Sequence, residues 1–270
     1  MPSKARKSAN AAIEAKRRQS RSSGSITLLS NGRAPRPRRH IPNSRANWTA
    51  YLDAEKGLGL IEGAVHAAKI NRPLNLSVTI HFERASLSDL WRPQDAVGAW
   101  LKRAGQWLGL RAIPCTFLWV MEHAVGTGRH VHILLHCPPA HQKAFKEKGR
   151  GDWLRKAGMI PIKHAIHYER VGPRGYDPAT ATTAQRGTYL RQLQGSLRYH
   201  IKGLDPDQRI DLGVGPKLIT ELLGVEPEYS SPIYGRRVSR SQNIGRTAIE
   251  RYHAQLHEEA QKGLSGGVQG

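Results

Sequence analysis

The sequence predicts an α+β fold: a central antiparallel β-sheet with flanking helices, preceded by a disordered basic tail and followed by a helical extension. Three observations carry that expectation. Apolar, β-branched and aromatic residues gather in four short runs, at residues 74–82, 115–122, 130–137 and 160–171. Around these runs, apolar residues recur at helical spacing. The two middle runs are joined by a segment holding Gly126 and Gly128, which suits a β-hairpin loop, and hairpins pair their strands antiparallel.

The first 47 residues hold twelve Lys or Arg and one acid, Glu14, and so carry +11 of the formal net charge of +21. Low hydrophobicity and like-charge repulsion predict disorder in the free chain and a non-specific DNA-contacting arm, in which residues 10–18 could become helical on binding. So large a positive excess calls for a polyanion, and nucleic acid is the expected partner. No membrane partner is expected, because no stretch approaches the roughly 20 apolar residues of a spanning helix. The start, Met1 to Arg6, lacks the apolar run of a signal peptide. With Cys115 and Cys137 alone there is no disulfide framework, which fits a cytoplasmic location.

From residue 48 to 71, Tyr51, Leu52, Leu58, Leu60, Ile61, Val65 and Ala68 suit a helix loosened at Gly57 and Gly59. Pro73 stops it, and residues 74–82 form the first strand. Residues 93–108 form a second helix with Pro93 near its start, and its tryptophans are read as core. In the hairpin that follows, centring on Gly126 sets Glu122 opposite His130, Val120 opposite His132 and Cys115 opposite Cys137. Paired residues share a face, so Glu122, His130 and His132 would lie together, with Phe117, Trp119, Met121, Val131, Ile133 and Leu135 on the core side.

Pro138 and Pro139 end the hairpin. Residues 140–157 read as basic helical pieces broken around Gly149–Gly151, residues 160–171 as a strand, and residues 172–180 as a loop. Residues 182–202 form a long helix with Leu190, Leu193, Leu197 and Ile201 as its stripe, stopped by Gly203 and Pro206. A short helix at 217–223, a basic linker at 234–241 and a final amphipathic helix at 243–261 follow, and the last eight residues read as loose. The expected organisation is a tail at 1–47, a main α+β domain at 48–210 and a C-terminal helical extension with a basic linker at 211–270.

Two motifs carry chemistry. In His130-Val131-His132, alternation along a strand puts both imidazoles on one face. Thirteen histidines predict about 0.6 such pairs by chance, so its meaning comes from the strand and from the acid opposite. Two imidazoles and a carboxylate suit Mg²⁺ or Mn²⁺, which accept N and O ligands and keep positions open for substrate oxygens. Glu122 is the expected third ligand and His123 the alternative; His136, roughly 13 Å along the strand from His132, lies too far. The second motif is Tyr199-His200-Ile201-Lys202, where Tyr199 and Lys202, three apart on a helix, share a face. Gly195, one turn earlier, leaves room for a phosphate to approach.

In this order, Val78-Thr79-Ile80, His130-Val131-His132 and Tyr199-His200-Ile201-Lys202 resemble the three motifs of the HUH endonuclease superfamily, in particular its single-tyrosine rolling-circle replication initiators. The resemblance covers about residues 74–204. It implies a Rep-type nuclease domain in which Glu122, His130 and His132 hold a divalent ion and Tyr199 attacks single-stranded DNA at a replication origin, leaving a 5′-phosphotyrosine and a free 3′-hydroxyl. Lys202 would hold the phosphate or favour the phenolate. Arg129, Arg198, Arg236, Arg237 and Arg240 are the expected DNA contacts. Tyr189 is ten residues before Tyr199, on another part of the helix, so a two-tyrosine mechanism is not expected. Without a Gly-x-x-x-x-Gly-Lys-Ser/Thr motif the chain would rely on a host helicase and polymerase to replicate a plasmid or phage. A single-tyrosine transposase has the same motif order and is the alternative enzyme; a non-catalytic nucleic-acid-binding protein is the alternative outside enzymes.

Overall fold

The computed structural model describes residues 48–265 apart from 90, 125, 212 and 214. The expected disorder of residues 1–47 lies outside the described residues, as does most of the last eight, of which 263–265 continue the final helix. The fold is α+β, built on a five-stranded antiparallel sheet.

A two-residue strand, β1 (Trp48–Thr49), precedes helix α1 (Ala54–Lys69). The Asp53 carboxylate caps α1, accepting hydrogen bonds from the backbone N–H groups of Glu55 and Lys56. The expected loosening at Gly57 and Gly59 is absent: α1 runs unbroken, and its glycines are points of close approach. A Cβ on Gly57 would lie 2.8 Å from Leu204, and one on Gly63 3.1 Å from the Ile244 carbonyl oxygen. Strand β2 (Leu76–His81) and helix α2 (Pro93–Gly109) follow. Trp100 of α2 is fully buried against Phe145 and Trp153, in keeping with a core role.

Strands β3 (Phe117–Ala124) and β4 (Gly128–Leu135) form the hairpin in the expected register, Glu122 opposite His130 and Val120 opposite His132. The pairing stops at Phe117 and Leu135, short of both cysteines. After a 3₁₀ turn, α3 (Gln142–Lys148) passes without a break through a π-helical turn (Gly149–Trp153) into α4 (Leu154–Lys156). Glycine at 149 sits against the Tyr168 hydroxyl, and the Gly149 carbonyl accepts from the Trp100 indole, so the expected break becomes a widened turn locked by tertiary contacts.

Strand β5 is confined to Ile166–Arg170. The part expected before it is not extended: Pro161 offers no N–H, Ile162 N–H turns back to the Ile160 carbonyl, and His164 has φ +66°. Helix α5 (Thr183–His200) opens with a capping box between Thr182 and Gln185. Its buried stripe is Tyr189, Leu193, Leu197 and His200, while Leu190 is exposed, and the helix ends before Lys202. Beyond a small ribbon of β6 (Arg209–Asp211) and β7 (Pro216–Leu218) comes α6 (Ile219–Leu223), so the expected short helix starts two residues late.

The expected basic linker instead folds as two strands. β8 (Ile233–Tyr234) pairs with β1, and β9 (Val238–Arg240) adds to β3 as the fifth strand of the main sheet, whose order is β5-β2-β4-β3-β9. A 3₁₀ turn (Gln242–Ile244) then leads into α7 (Arg246–Ser265), which starts later than expected because Ile244 is taken into the core.

One sheet face, with Val78, Ile80, Trp119, Met121, Val131 and Ile133, packs on α2 and the α3–α4 segment. The other face is covered by α1 and α5 through Leu118, Val120 and Leu134. Thr79, His81, Glu122, His130 and His132 share this face, and they make the candidate site.

Candidate metal and nucleophile site

The site is assembled by strand register. On the α5 side of the sheet, His132 lies opposite Val120 on one neighbour and Thr79 on the other, and His130 lies opposite Glu122 and His81. Glu122, His130 and His132 are each 4% exposed. One Glu122 oxygen, Oε2, stands 3.3 Å from His130 Nε2 and 3.4 Å from His132 Nε2, and the potential ligand atoms lie within 4.8 Å of one another.

The outer nitrogens of both rings have partners. His130 Nδ1 is 3.0 Å from the Gly128 carbonyl, which can only accept, so that nitrogen carries a proton and the ring turns its Nε2 toward the carboxylate. His132 Nδ1 is 3.0 Å from the Thr79 hydroxyl. Such second contacts orient imidazoles for coordination. Burial keeps the His132 ring from protonating, pulling its pKa below the ordinary value despite the neighbouring Glu122 carboxylate. Burial likewise opposes charge on Glu122, but the His130 and His132 ring nitrogens and the Lys202 ammonium override it and hold the carboxyl well below the usual range. A buried carboxylate thus faces two imidazole rings, while Glu122 Oε1 and His132 Nε2 have no hydrogen-bond partner. A divalent cation would satisfy all of them, so the donor set fits a divalent metal ion.

Helix α5 lays its buried stripe on the sheet and brings Tyr199 to the rim, half-exposed, with its ring 5.0 Å from that of His132. Lys202 lies beyond the end of α5 and still meets Tyr199: its Nζ is 4.2 Å from the ring centroid, 3.4 Å from Glu122 Oε2 and 2.8 Å from Glu228 Oε2. Burial disfavours the ammonium, but Glu228 and Glu122 more than compensate and hold its pKa above the ordinary value. His200, fully buried below, donates from Nδ1 to the Ser196 carbonyl and sits 5.4 Å from the His132 ring. Burial takes its pKa down to about 3, so it is neutral.

The expected DNA contacts divide. Arg129, Arg198 and Arg236 reach solvent, although Arg129 pairs with Glu83 at 2.9 Å. Arg237 does not: it is buried, and its guanidinium donates to the Ala50 carbonyl and the Ser230 hydroxyl. Arg240 donates to the Gly59 carbonyl of α1. Both are spent on the fold, because the segment that carries them is sheet edge and not linker. His123 pairs with Arg129 in the register, one residue out of phase with Glu122, and takes no part in the cluster. His136 is buried elsewhere, donating to the Pro73 carbonyl.

Three neighbours of the cluster are brought to it by contacts that the sequence does not specify. Thr79 and His81 join it through the pairing of β2 with β4, and Glu228 through a hydrogen bond from its backbone N–H to the Lys202 carbonyl. Thr79 stands in a motif, but its contact depends on a strand neighbour that spacing does not specify. A scan against protein-family models finds no match for the chain, and neither curated proteins nor solved structures yield one.

Proposed function

We propose that the protein is a single-tyrosine HUH-type DNA endonuclease and strand transferase that nicks and rejoins single-stranded origin DNA to initiate rolling-circle replication of a plasmid or phage. One observation carries this reading: Tyr199 stands at the mouth of the buried Glu122–His130–His132 cluster, with the Lys202 ammonium over its ring. A nucleophile, a cation-binding donor set and a fixed positive charge on one sheet face are what phosphodiester transfer to a tyrosine requires.

In this mechanism the Tyr199 oxygen bonds to phosphorus as the bond to the 3′ oxygen breaks. The phenol proton leaves to solvent, to which Tyr199 is open, and the 3′ oxygen gains one. A divalent cation held by Glu122, His130 and His132 would supply Lewis-acid polarisation of the phosphate and stabilise charge on the leaving oxygen. Lys202, anchored by Glu228 and Glu122, places its ammonium where negative charge gathers on the phenol oxygen and the phosphate. His200, neutral and buried, backs the His132 ring. The phosphotyrosine bond conserves the energy of the broken phosphodiester, so attack by a 3′-hydroxyl rejoins the strand without ATP. Arg129, Arg198 and Arg236 reach solvent and are available to the DNA backbone.

The decisive experiment incubates the protein with Mn²⁺ and a pool of random single-stranded DNA and looks for a denaturation-resistant adduct. The adduct is expected with the wild type and absent with Tyr199→Phe. Salt-sensitive binding with no adduct from either protein would replace the enzyme by a binding module. Sequencing the captured strands separates an origin hairpin from the terminal palindromes of a transposon.

A further inference from the structure

Beside the metal cluster, a cavity of about 560 Å³ opens where the end of β2, the start of β5 and the connection before β5 meet. Arg84, Arg150, Lys163 and three histidines line it, with no carboxylate among the lining residues. The three long cations are exposed, and among the described residues none of them forms an ion pair. One wall is apolar: Pro161 and Ile162, the latter 50% exposed. The cavity is continuous with the cluster through His81, which lines it, stands opposite His130 in the strand register and has its ring 5.4 Å from that of His130. His81 Nδ1 is buried without a partner.

Grouped cations without a counter-charge repel one another, so the arrangement is stabilised by an anion. An apolar wall beside them suits a flat ring. The volume falls within the range of roughly 300–1,000 Å³ typical of small-ligand sites, and so suits a nucleotide-sized unit and not a duplex. We infer that this cavity is a subsite for single-stranded DNA, in which Arg84, Arg150 and Lys163 hold the phosphodiester backbone and a base rests on Pro161 and Ile162, on a strand that passes His81 to reach the metal cluster. The course of the strand rests on the proposed cleavage reaction; the affinity of the cavity is measurable without it.

The test uses the full chain carrying Tyr199→Phe, so that no covalent step intervenes. Its affinity for a fluorescent twelve-nucleotide oligo-dT is followed by anisotropy over a salt series, alone and with Arg84→Ala plus Lys163→Ala. Both side chains are exposed, and an unchanged melting temperature verifies the fold. The double variant is expected to bind at least about tenfold more weakly and to lower the slope of log affinity against log salt by about 1.4, or ~0.7 for each phosphate no longer neutralised. Arg103→Ala plus Arg251→Ala, two exposed cations elsewhere, controls for net charge. A pocket variant that loses no more affinity or slope than this control overturns the inference. If the pocket variant loses binding while the wild type forms no adduct, the subsite stands and the cleavage reading falls. If the wild type forms the adduct and Arg84→Ala plus Lys163→Ala matches the control, the subsite falls and the cleavage reading stands.

Discussion

His132 shows how one side chain is made ready by its neighbours. Its ring is buried, its pKa is lowered chiefly by that burial, Thr79 meets its outer nitrogen at 3.0 Å, and its inner nitrogen has no hydrogen-bond partner. Thr79→Ala removes only the orienting contact. Mn²⁺ affinity measured by titration calorimetry is then expected to fall about 10- to 100-fold, the usual cost of removing a group that orients a ligand, with the melting temperature of the metal-free protein little changed. Glu122→Gln acts on the proposed ligand itself and should weaken Mn²⁺ binding further than Thr79→Ala; equal affinity to wild type would remove Glu122 from the proposed ligand set. The thiols are the opposite case. Burial pushes Cys115 up to about 11 and Cys137 up to about 12, so both stay protonated near neutrality. Alkylation of the native protein at pH 8 should be slow at both and become fast only on unfolding or as pH climbs toward those values.

Among the elements, β9 has the widest consequence. It closes the edge of β3, and the Arg237 guanidinium beside it links the Ala50 carbonyl after β1 to Ser230 before β8. Arg237→Ala leaves buried acceptors unpaired, and the expected destabilisation is about 2–4 kcal/mol in urea denaturation. A value below about 0.5 kcal/mol would show that Arg237 is free for other work, including DNA. Where α1 meets the turn before α7, a side chain at Gly63 would press on the Ile244 carbonyl oxygen and the Arg240 side chain and push them aside. Gly63→Val is expected to cost about 1–3 kcal/mol through overpacking in the same assay, even though glycine itself is a poor helix former. The element boundaries that differ from expectation have both distant and local causes. The π turn at Gly149–Trp153 is held by Trp100 and Tyr168, which local periodicity does not see, whereas the late start of β5 follows from the backbone at Pro161–His164 itself.

For the molecule as a whole, the sheet separates an apolar face from one that is partly polar, and histidines are buried both inside the candidate site and away from it. His136 donates from Nδ1 to the Pro73 carbonyl, and burial lowers its pKa from 6.5. As pH falls through about 6.5, the unfolded chain gains a proton that the folded chain refuses. Stability therefore drops below pH 6.5, by at most roughly 1.4 kcal/mol per pH unit for this group, until the lower folded pKa is reached. Asparagine can donate to the same carbonyl without titrating. Melting curves of His136→Asn between pH 7.5 and 5 should accordingly decline less steeply than those of the wild type; parallel declines would show that His136 is not a source of the acid sensitivity. No helix among the described residues is long and apolar enough to cross a membrane.

Much of this was legible in the residues alone. Alternation and the glycines at 126 and 128 specify the β3–β4 register, because a hairpin with a short loop leaves few ways to pair, and the register groups Glu122 with His130 and His132 and sets His123 aside. Helical spacing likewise puts Tyr199 and Lys202 on one side, although Lys202 keeps that contact from beyond the helix end. The tertiary structure decided what local pattern cannot: that β2 lies against β4 and delivers Thr79 and His81, that residues 238–240 return to complete the sheet, and that Arg237 and Arg240 are consumed there. The physical reason is range. Backbone periodicity and turn geometry act over a few residues, whereas the choice of strand neighbour is made by whichever distant surfaces bury each other best.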